Sequence, residues 1–215
     1  MQLTEFSDKG KFVIVDAVRG DVDQQEAWDS FYKGQKRPWR GVASLDVPFT
    51  EGQRILDIGC GNGKTSQALI EMGCDVVGLD FSQNAVDHCN NSIKGMTAVC
   101  SSSDRLPFND DEFDGVVLVH VLEHLDDTEL KDTLKETGRV LKTGGHIFLR
   151  VFEKNDMRSN GGTEVKGNGI RYRYYDTGEI ENIFSNFESL WRSVTEQTTK
   201  FGSTRMRIEA LYKKK

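Results

Sequence analysis

The sequence predicts a doubly wound α/β fold, in which helices cover both faces of a mostly parallel sheet. Between Gln53 and Phe152, short apolar runs alternate with amphipathic runs. This alternation is typical of β-α-β units, which wind a parallel sheet through right-handed connections. A length of 215 residues and a hydrophobic fraction of 37% suit one well-buried domain of this class.

The predicted elements follow one another from residue 53 onward. Five apolar strands are expected at RILDIG, DVVGLD, MTAVCSS, FDGVVLVH and HIFLRVF. A helix over KTSQALIEMG is closed by Gly73, and Ser82 caps the helix over QNAVDHCNNSI. A third helix begins at DDTELK and ends at the pair Gly144–Gly145.

The chain becomes polar after Lys154, and this region predicts a loop. A helix over DTGEIENIFSNF follows, capped by Asp176 or Thr177. The last two runs, LWRSVTEQTTK and RMRIEALYK, predict an antiparallel hairpin that closes one edge of the sheet.

No Gly/Ser linker and no internal repeat divide the chain, so a single domain over residues 1–215 is expected. Within it, residues 1–50 form an N-terminal helical cap, residues 51–152 a ligand-binding core, and residues 153–215 a loop, a helix and the hairpin on the substrate side. Trp28, Phe31 and Tyr32 recur at helical spacing, which predicts an amphipathic helix covering a site.

Composition limits the compartment and the partners. The formal net charge of −6 argues against broad binding to nucleic acid. Four cysteines without a C-x-x-C pair favour a reducing cytoplasm over a disulfide framework or a zinc knuckle. No apolar run is long enough to span a bilayer, and the N-terminus does not resemble a signal peptide. We therefore expect a cytoplasmic protein without a membrane or metal partner; its oligomeric state is left open.

The stretch ILDIGCGNGKTSQAL has features of two nucleotide-binding loops and satisfies neither. An ATP-binding phosphate loop, G-x-x-x-x-G-K-[ST], would need a glycine at position 58, where Ile58 stands. A dinucleotide fingerprint, G-x-G-x-x-G, would need its third glycine at position 64, where Lys64 stands.

The residues actually present suit a ligand with a ribose and an ammonium group but no phosphate. Gly59, Gly61 and Gly63 let the backbone pass close beneath a ligand. Asp80 ends the next strand about 20 residues later, where an acidic side chain accepts hydrogen bonds from ribose hydroxyls. Asp57, just before the loop, suits an ammonium group. A ligand with these features is S-adenosylmethionine.

At this point the sequence resembles the class I S-adenosylmethionine-dependent methyltransferases, over about residues 50–152. ILDIGCGNGKTSQALIEMGCDVVGLDFS is similar to the family's first two motifs, and SSSDRLPFNDDEFDGVVLVHVLEHL to its adenine-binding and fourth-strand segments. ETGRVLKTGGHIFLRV is similar to the helix and fifth strand that follow. The resemblance implies a Rossmann-like, three-layer α/β/α fold with a seven-stranded, mostly parallel sheet and an antiparallel last strand.

By this resemblance, Gly59, Cys60 and Gly61 run beneath the methionine and ribose parts of the cofactor. Asp57 lies near the ammonium group, through water or directly. Asp80 takes the ribose hydroxyls.

The resemblance also assigns the adenine end and the methyl end. Phe81 lies against the adenine ring, Asp104 accepts the hydrogens of the adenine amino group, and Arg105 or Leu106 supplies a backbone contact. His120, just past the fourth strand, lines the methyl end and is a candidate catalytic base, with a purely structural role as the alternative.

In related enzymes an aromatic N-terminal segment folds over the cofactor. Here Trp39 and Arg40 are candidates for that position, with the Arg40 guanidinium reaching the methionine carboxylate. Packing against the sheet is the alternative for these side chains.

The stretch HVLEH matches an inverted zinc-protease motif, H-x-x-E-H. That motif needs both histidines on one helical face, whereas His120 closes an apolar strand, so the two imidazoles are expected to diverge. For His124 we expect a local hydrogen bond at the start of a helix.

The acceptor of the methyl group is not identified by sequence. The family's amino-methylating enzymes often carry Asn/Asp-Pro-Pro-Tyr after the fourth strand, and HVLEHL is not that segment. A small molecule is therefore the favoured acceptor, with a specific RNA or a protein side chain as alternatives. VKGNGIRYRYY interleaves basic and aromatic residues, which suits an anionic substrate or a solvated edge. A binding module that holds the cofactor without chemistry is a further alternative.

Overall fold

The computed structural model describes residues 23–34, 44–159, 162–199 and 201–215. The helices in these ranges are α1 (Gln24–Gly34), α2 (Lys64–Glu71), α3 (Gln83–Ser92), α4 (Asp127–Val140) and α5 (Thr177–Ile183). The strands are β1 (Arg54–Ile58), β2 (Asp75–Asp80), β3 (Met96–Cys100), β4 (Phe113–Val119), β5 (Leu141–Phe152), β6 (Glu164–Val165), β7 (Arg171–Tyr172), β8 (Glu188–Thr198) and β9 (Thr204–Lys213). A short 3₁₀ turn, Leu122–His124, lies between β4 and α4.

Seven strands form one sheet in the order β3-β2-β1-β4-β5-β9-β8. The pairs among β1 to β5 are parallel, and β9 is antiparallel to both β5 and β8. This confirms the predicted Rossmann-like sheet with an antiparallel last strand and a hairpin at one edge. The strand order reverses direction between β1 and β4, and ligands bind at such a switch point in open α/β sheets.

Helices cover both faces of the sheet, because the side chains of each inner strand alternate between two apolar clusters. Leu56 and Leu118 belong to the cluster that includes Leu130 of α4. Ile55 lies on the opposite face, in a cluster with Leu69 of α2. The sheet is therefore a rigid layer between helices, and its carboxyl edge carries the site.

Several predicted helix ends are present. The Ser82 hydroxyl accepts a hydrogen bond from the backbone N–H of Ala85 (3.4 Å), and Gly73 follows α2 with φ of 85°. Asp176 caps α5 through a capping box with Glu179.

The prediction that the helix beginning at DDTELK continues to Gly144–Gly145 is wrong. Helix α4 ends at Val140, and β5 begins at once with Leu141. Pairing of β5 with β4 is irregular until His146, and Gly144 has φ of 78°. The glycine pair therefore serves an irregular strand entry, where an added Cβ at Gly145 would come within 2.9 Å of the Asp114 carbonyl oxygen.

The polar region after Lys154, predicted as a loop, contains the short ribbon of β6 and β7. Among the helices in the described ranges, none is both long and apolar enough to cross a membrane.

Candidate functional site

A cleft opens at the carboxyl edge of the sheet, above the switch point between β1 and β4. Its walls come from the loop after β1, the end of β2, the residues after β3 and β4, and helix α1. It encloses about 640 Å³ of empty space, including its opening to solvent. Its lining combines apolar and aromatic side chains with a few polar groups, which is typical of ligand pockets.

The glycine loop forms the floor of the cleft with backbone that other residues rarely adopt. Gly59 and Gly61 have φ of 66° and 53°. An added Cβ at Gly59 would lie 2.6 Å from a methyl group of Val121, and one at Gly61 would lie 2.5 Å from the Tyr32 hydroxyl. These positions therefore need glycine for both conformation and space.

The Asp80 carboxylate lies at the cleft and is fixed there by two backbone N–H groups. One oxygen accepts the backbone N–H of Gly61 and the other that of Ser82, each at 2.9 Å. The side chain is almost fully buried, and burial raises its pKa to about 6. A carboxylate has about four lone-pair sites, so Asp80 keeps acceptor capacity for a ligand.

Asp57 and Cys60 lie beneath the loop and outside the cleft wall. Asp57 is fully buried and accepts a hydrogen bond of 2.5 Å from the Ser66 hydroxyl. Burial raises the pKa of Asp57 to about 7. The Cys60 side chain is also buried. Contact between Asp57 and a ligand ammonium group stays a prediction.

The predicted adenine segment is only partly at the cleft. Phe81 lines it, and so do the serines that follow β3 (Ser101, Ser102 and Ser103). Asp104 and Arg105 are exposed and do not line it. The Leu106 N–H is already donated to Glu136 (2.9 Å), so this backbone donor is occupied.

His120 lies at the end of β4 in an unusual conformation. Its φ of 59° is in the left-handed region, which is uncommon for a residue with a side chain. Its ring stacks on Phe152 with centroids 4.1 Å apart, and the side chain lines the cleft. The structure thus places His120 on the wall of the cleft, and its position at the methyl end of a cofactor stays a prediction.

Glu123 is a site residue that the sequence analysis missed. It is fully buried, and its Oε1 lies 2.8 Å from Nδ1 of His120. The same oxygen accepts the backbone N–H of Phe152 (2.9 Å), while Oε2 is buried with no hydrogen-bond partner. The i, i+3 spacing within HVLEH was the available signal for this pair.

The expectation of a local hydrogen bond for His124 is wrong. Its Nδ1 lies 2.6 Å from the carbonyl oxygen of Arg171, in the distant strand β7. Desolvation lowers its pKa, which favours the neutral ring. His120 and His124 therefore bond to different partners, and the described residues form no group of three or more side chains able to hold a metal ion.

Helix α1 lies over the cleft, and it contains Trp28, Phe31 and Tyr32, the residues whose spacing predicted a helix. Trp28 and Tyr32 line the cleft, and the Trp28 ring contacts that of His124 at 4.8 Å. Asp29 accepts a hydrogen bond from the Ser82 hydroxyl (2.5 Å) and one from the Asn84 N–H (3.3 Å).

Gln24 ties the same helix to the ribbon of β6 and β7. Its amide nitrogen donates to the carbonyl oxygen of Gly169 (3.1 Å), and its oxygen accepts the N–H of Arg171 (2.9 Å). The predicted ligand contacts Trp39 and Arg40 lie outside the described residues.

The chain was compared with known proteins. Residues 56–149 match the family described as a methyltransferase domain. This region contains the glycine loop, Asp80 and His120. This match supports the resemblance to the class I S-adenosylmethionine-dependent methyltransferases.

Two relatives of this chain are named as methyltransferases that act on different substrates. The chain is 33% identical over 124 residues to a demethylmenaquinone methyltransferase of Renibacterium salmoninarum, covering 58% of this chain and 52% of the relative. It is 28% identical over 154 residues to a tRNA N(3)-cytidine methyltransferase of Danio rerio, covering 62% of this chain and 44% of the relative. The chain thus spans about half the length of these relatives.

A solved structure shares the fold of this chain. It is described as a SAM-dependent methyltransferase from Methanosarcina mazei, with a TM-score of 0.69 and 24% identity. The similarity covers 79% of this chain and 99% of that one.

Proposed function

We propose that the protein binds S-adenosylmethionine in the cleft and transfers its methyl group to an acceptor molecule. The observation that carries this proposal is the position of Asp80. Its carboxylate is held at the cleft by the N–H groups of Gly61 and Ser82 and still has free lone pairs. A ribose supplies the two hydroxyl donors that such a carboxylate accepts.

The surrounding residues fit the rest of the cofactor. Gly59 lines the cleft, and the positive φ of Gly59 and Gly61 holds the loop backbone in the turn on which the methionine and ribose parts would lie. Phe81 offers an aromatic face to the adenine, and Ser101–Ser103 offer hydroxyl and backbone groups near it. Asp104, Arg105 and Leu106 remain predicted contacts with less support, because the first two are exposed and the Leu106 N–H is occupied.

When bound, S-adenosylmethionine supplies a methyl group that is already activated on a sulfonium. The protein then has to orient the acceptor, exclude water and, for some acceptors, remove a proton. Helix α1 covers the cleft, and His120 is the candidate base at its methyl end.

A small-molecule acceptor is proposed first, and a specific tRNA or a protein side chain are the alternatives. A demethylmenaquinone enzyme among the relatives and the net charge of −6 support the first choice. A cytoplasmic location is likewise proposed, supported by cysteines that are all free thiols. The single domain over residues 1–215, with boundaries at 50 and 152, also stays a prediction.

The proposal is tested by calorimetry with S-adenosylhomocysteine and with ATP. We expect the first to bind, and Asp80→Asn to weaken its binding by about 1–3 kcal/mol, since charged hydrogen bonds to the ribose are lost. Asp75→Asn is the matched control, because Asp75 is exposed at the other end of the same strand. Binding of ATP without binding of S-adenosylhomocysteine would contradict the proposal.

The acceptor class is tested with S-adenosylmethionine carrying a labelled methyl group. The protein is incubated with small-molecule, RNA and protein fractions of a cell extract. We expect label in the small-molecule fraction. Label confined to RNA or protein would select that alternative, and no label in any fraction would favour a cofactor-binding module.

A further inference from the structure

We infer that Glu123 is a positioning residue that fixes His120 as a proton acceptor, so that the methyl acceptor is a molecule with an O–H or N–H group to ionise. This inference rests on the proposed methyl transfer. It concerns a carboxylate that the sequence analysis did not assign and that lies behind the wall of the cleft.

The hydrogen bonds around Glu123 determine which ring nitrogen of His120 carries hydrogen. Oε1 of Glu123 accepts the backbone N–H of Phe152, so it is an acceptor oxygen, and it lies 2.8 Å from Nδ1 of His120. In the neutral ring, Nδ1 therefore carries the hydrogen and Nε2 keeps a lone pair. Such a carboxylate behind a histidine sets both its tautomer and its orientation.

The orientation of His120 leaves Nε2 free. Phe152 covers one face of the ring, and 28% of the His120 side chain is exposed where it lines the cleft. No described residue forms a hydrogen bond to Nε2. The left-handed backbone of His120 is strained, and such strain is concentrated at functional sites.

A purely structural role explains only part of the arrangement. Oε1 of Glu123 does tie the turn to β5 through the N–H of Phe152. However, Oε2 is buried without a hydrogen bond, and no described Lys or Arg forms an ion pair with Glu123. Burying an uncompensated carboxylate is costly, so a neutral side chain would serve a tether better. A carboxylate is useful here if a positive charge forms beside it.

The chemical step creates that charge on His120. The acceptor O–H or N–H gives its proton to Nε2, and the electron pair left on oxygen or nitrogen forms the new bond to the methyl carbon. The carbon–sulfur bond breaks with its electron pair remaining on sulfur, so a neutral thioether leaves. The imidazolium is stabilised by Glu123 until Nε2 releases the proton to water.

The tautomer of His120 is measurable without knowing the acceptor. We propose long-range ¹H–¹⁵N NMR on protein labelled at histidine, above pH 7.5, with and without S-adenosylhomocysteine. His120→Gln assigns the His120 signals among the four histidines. His124 is an internal reference, because its Nδ1 already faces a carbonyl acceptor.

We expect His120 to carry hydrogen on Nδ1 in the wild type. Glu123→Met should shift the population towards hydrogen on Nε2, whereas Glu123→Gln, which keeps an acceptor oxygen, should restore the wild-type tautomer. His124 should not change in either variant. Hydrogen on Nε2 of His120 in the wild type would overturn the inference even if Glu123→Met failed to fold.

Once label identifies the acceptor, we expect His120→Gln to lower kcat roughly 10²-fold or more. Its affinity for S-adenosylhomocysteine should stay within about threefold, since the base acts on the acceptor. A methyl group found on an atom that bore no proton would overturn the inference while leaving methyl transfer intact. Absence of S-adenosylhomocysteine binding would instead contradict the proposed function.

Discussion

Two buried carboxylates lie at the carboxyl edge of neighbouring strands, and burial affects both. Asp57 belongs to β1, and Asp80 ends β2. Burial raises the pKa of Asp57 to about 7 and that of Asp80 to about 6, and each lies above the ordinary aspartate value of 3.8. Each group is therefore held closer to neutrality than an exposed aspartate.

The raised pKa of Asp57 predicts a pH dependence of stability. The pKa of Asp57 is higher in the folded than in the unfolded state. Its contribution to the free energy of unfolding is therefore fully present below about pH 4 and is lost as pH rises through about 7. The loss amounts to at most roughly 4 kcal/mol. Urea unfolding at several pH values should show this component in the wild type and not in Asp57→Asn. An identical pH dependence of the free energy of unfolding in both proteins would mean that folding does not raise the pKa of Asp57.

The residues of the glycine loop could be predicted because their spacing in the sequence is enough to identify them. Gly59, Gly61 and Asp80 lie within one β-α-β unit formed by β1, α2 and β2, where local sequence determines geometry. Glu123 could not be predicted in the same way, since its importance depends on complete burial and on a bond to Phe152 from another strand. Asp104 shows the opposite case, a residue placed by resemblance that the structure leaves exposed.

At the scale of elements, α1 is attached to the core by a few polar bonds at its exposed side. Asp29 accepts hydrogen bonds from Ser82 and Asn84, near the N-terminus of α3. The Ser82 hydroxyl lowers the pKa of Asp29, so the carboxylate is ionised at neutral pH. These bonds position the helix that carries Trp28 and Tyr32 over the cleft.

Asp29→Ala should therefore loosen α1. We expect faster hydrogen exchange over residues 24–34, and weaker binding of S-adenosylhomocysteine by about 1 kcal/mol. Glu26→Ala, on an exposed position of the same helix, is the control and should leave both measurements unchanged. Equal exchange rates in Asp29→Ala and wild type would show that aromatic packing alone holds the helix.

At the scale of the whole molecule, the five parallel strands of the sheet were predictable because the alternation of strands and helices is strong from Gln53 to Phe152. The ribbon of β6 and β7 was missed because each strand has two residues in a polar stretch. Its structure depends on contacts that are distant in sequence, including those of Arg171 with Gln24 and His124.

The bonds of Gln24 have a consequence for the kinetics of the whole molecule. With α1 in place, Trp28 and Tyr32 line one side of the cleft, and we expect the cofactor to enter while α1 is displaced. Displacing α1 also breaks the bonds from Gln24 to Gly169 and Arg171. We therefore expect compulsory-order turnover, with S-adenosylmethionine binding first and S-adenosylhomocysteine leaving last.

Product-inhibition measurements test this order. S-adenosylhomocysteine should compete with S-adenosylmethionine, and the methylated product should compete with neither substrate. A random order would show that the ribbon and α1 open independently. If the order is compulsory, the two hydrogen bonds of Gln24 ensure that the acceptor binds only after S-adenosylmethionine.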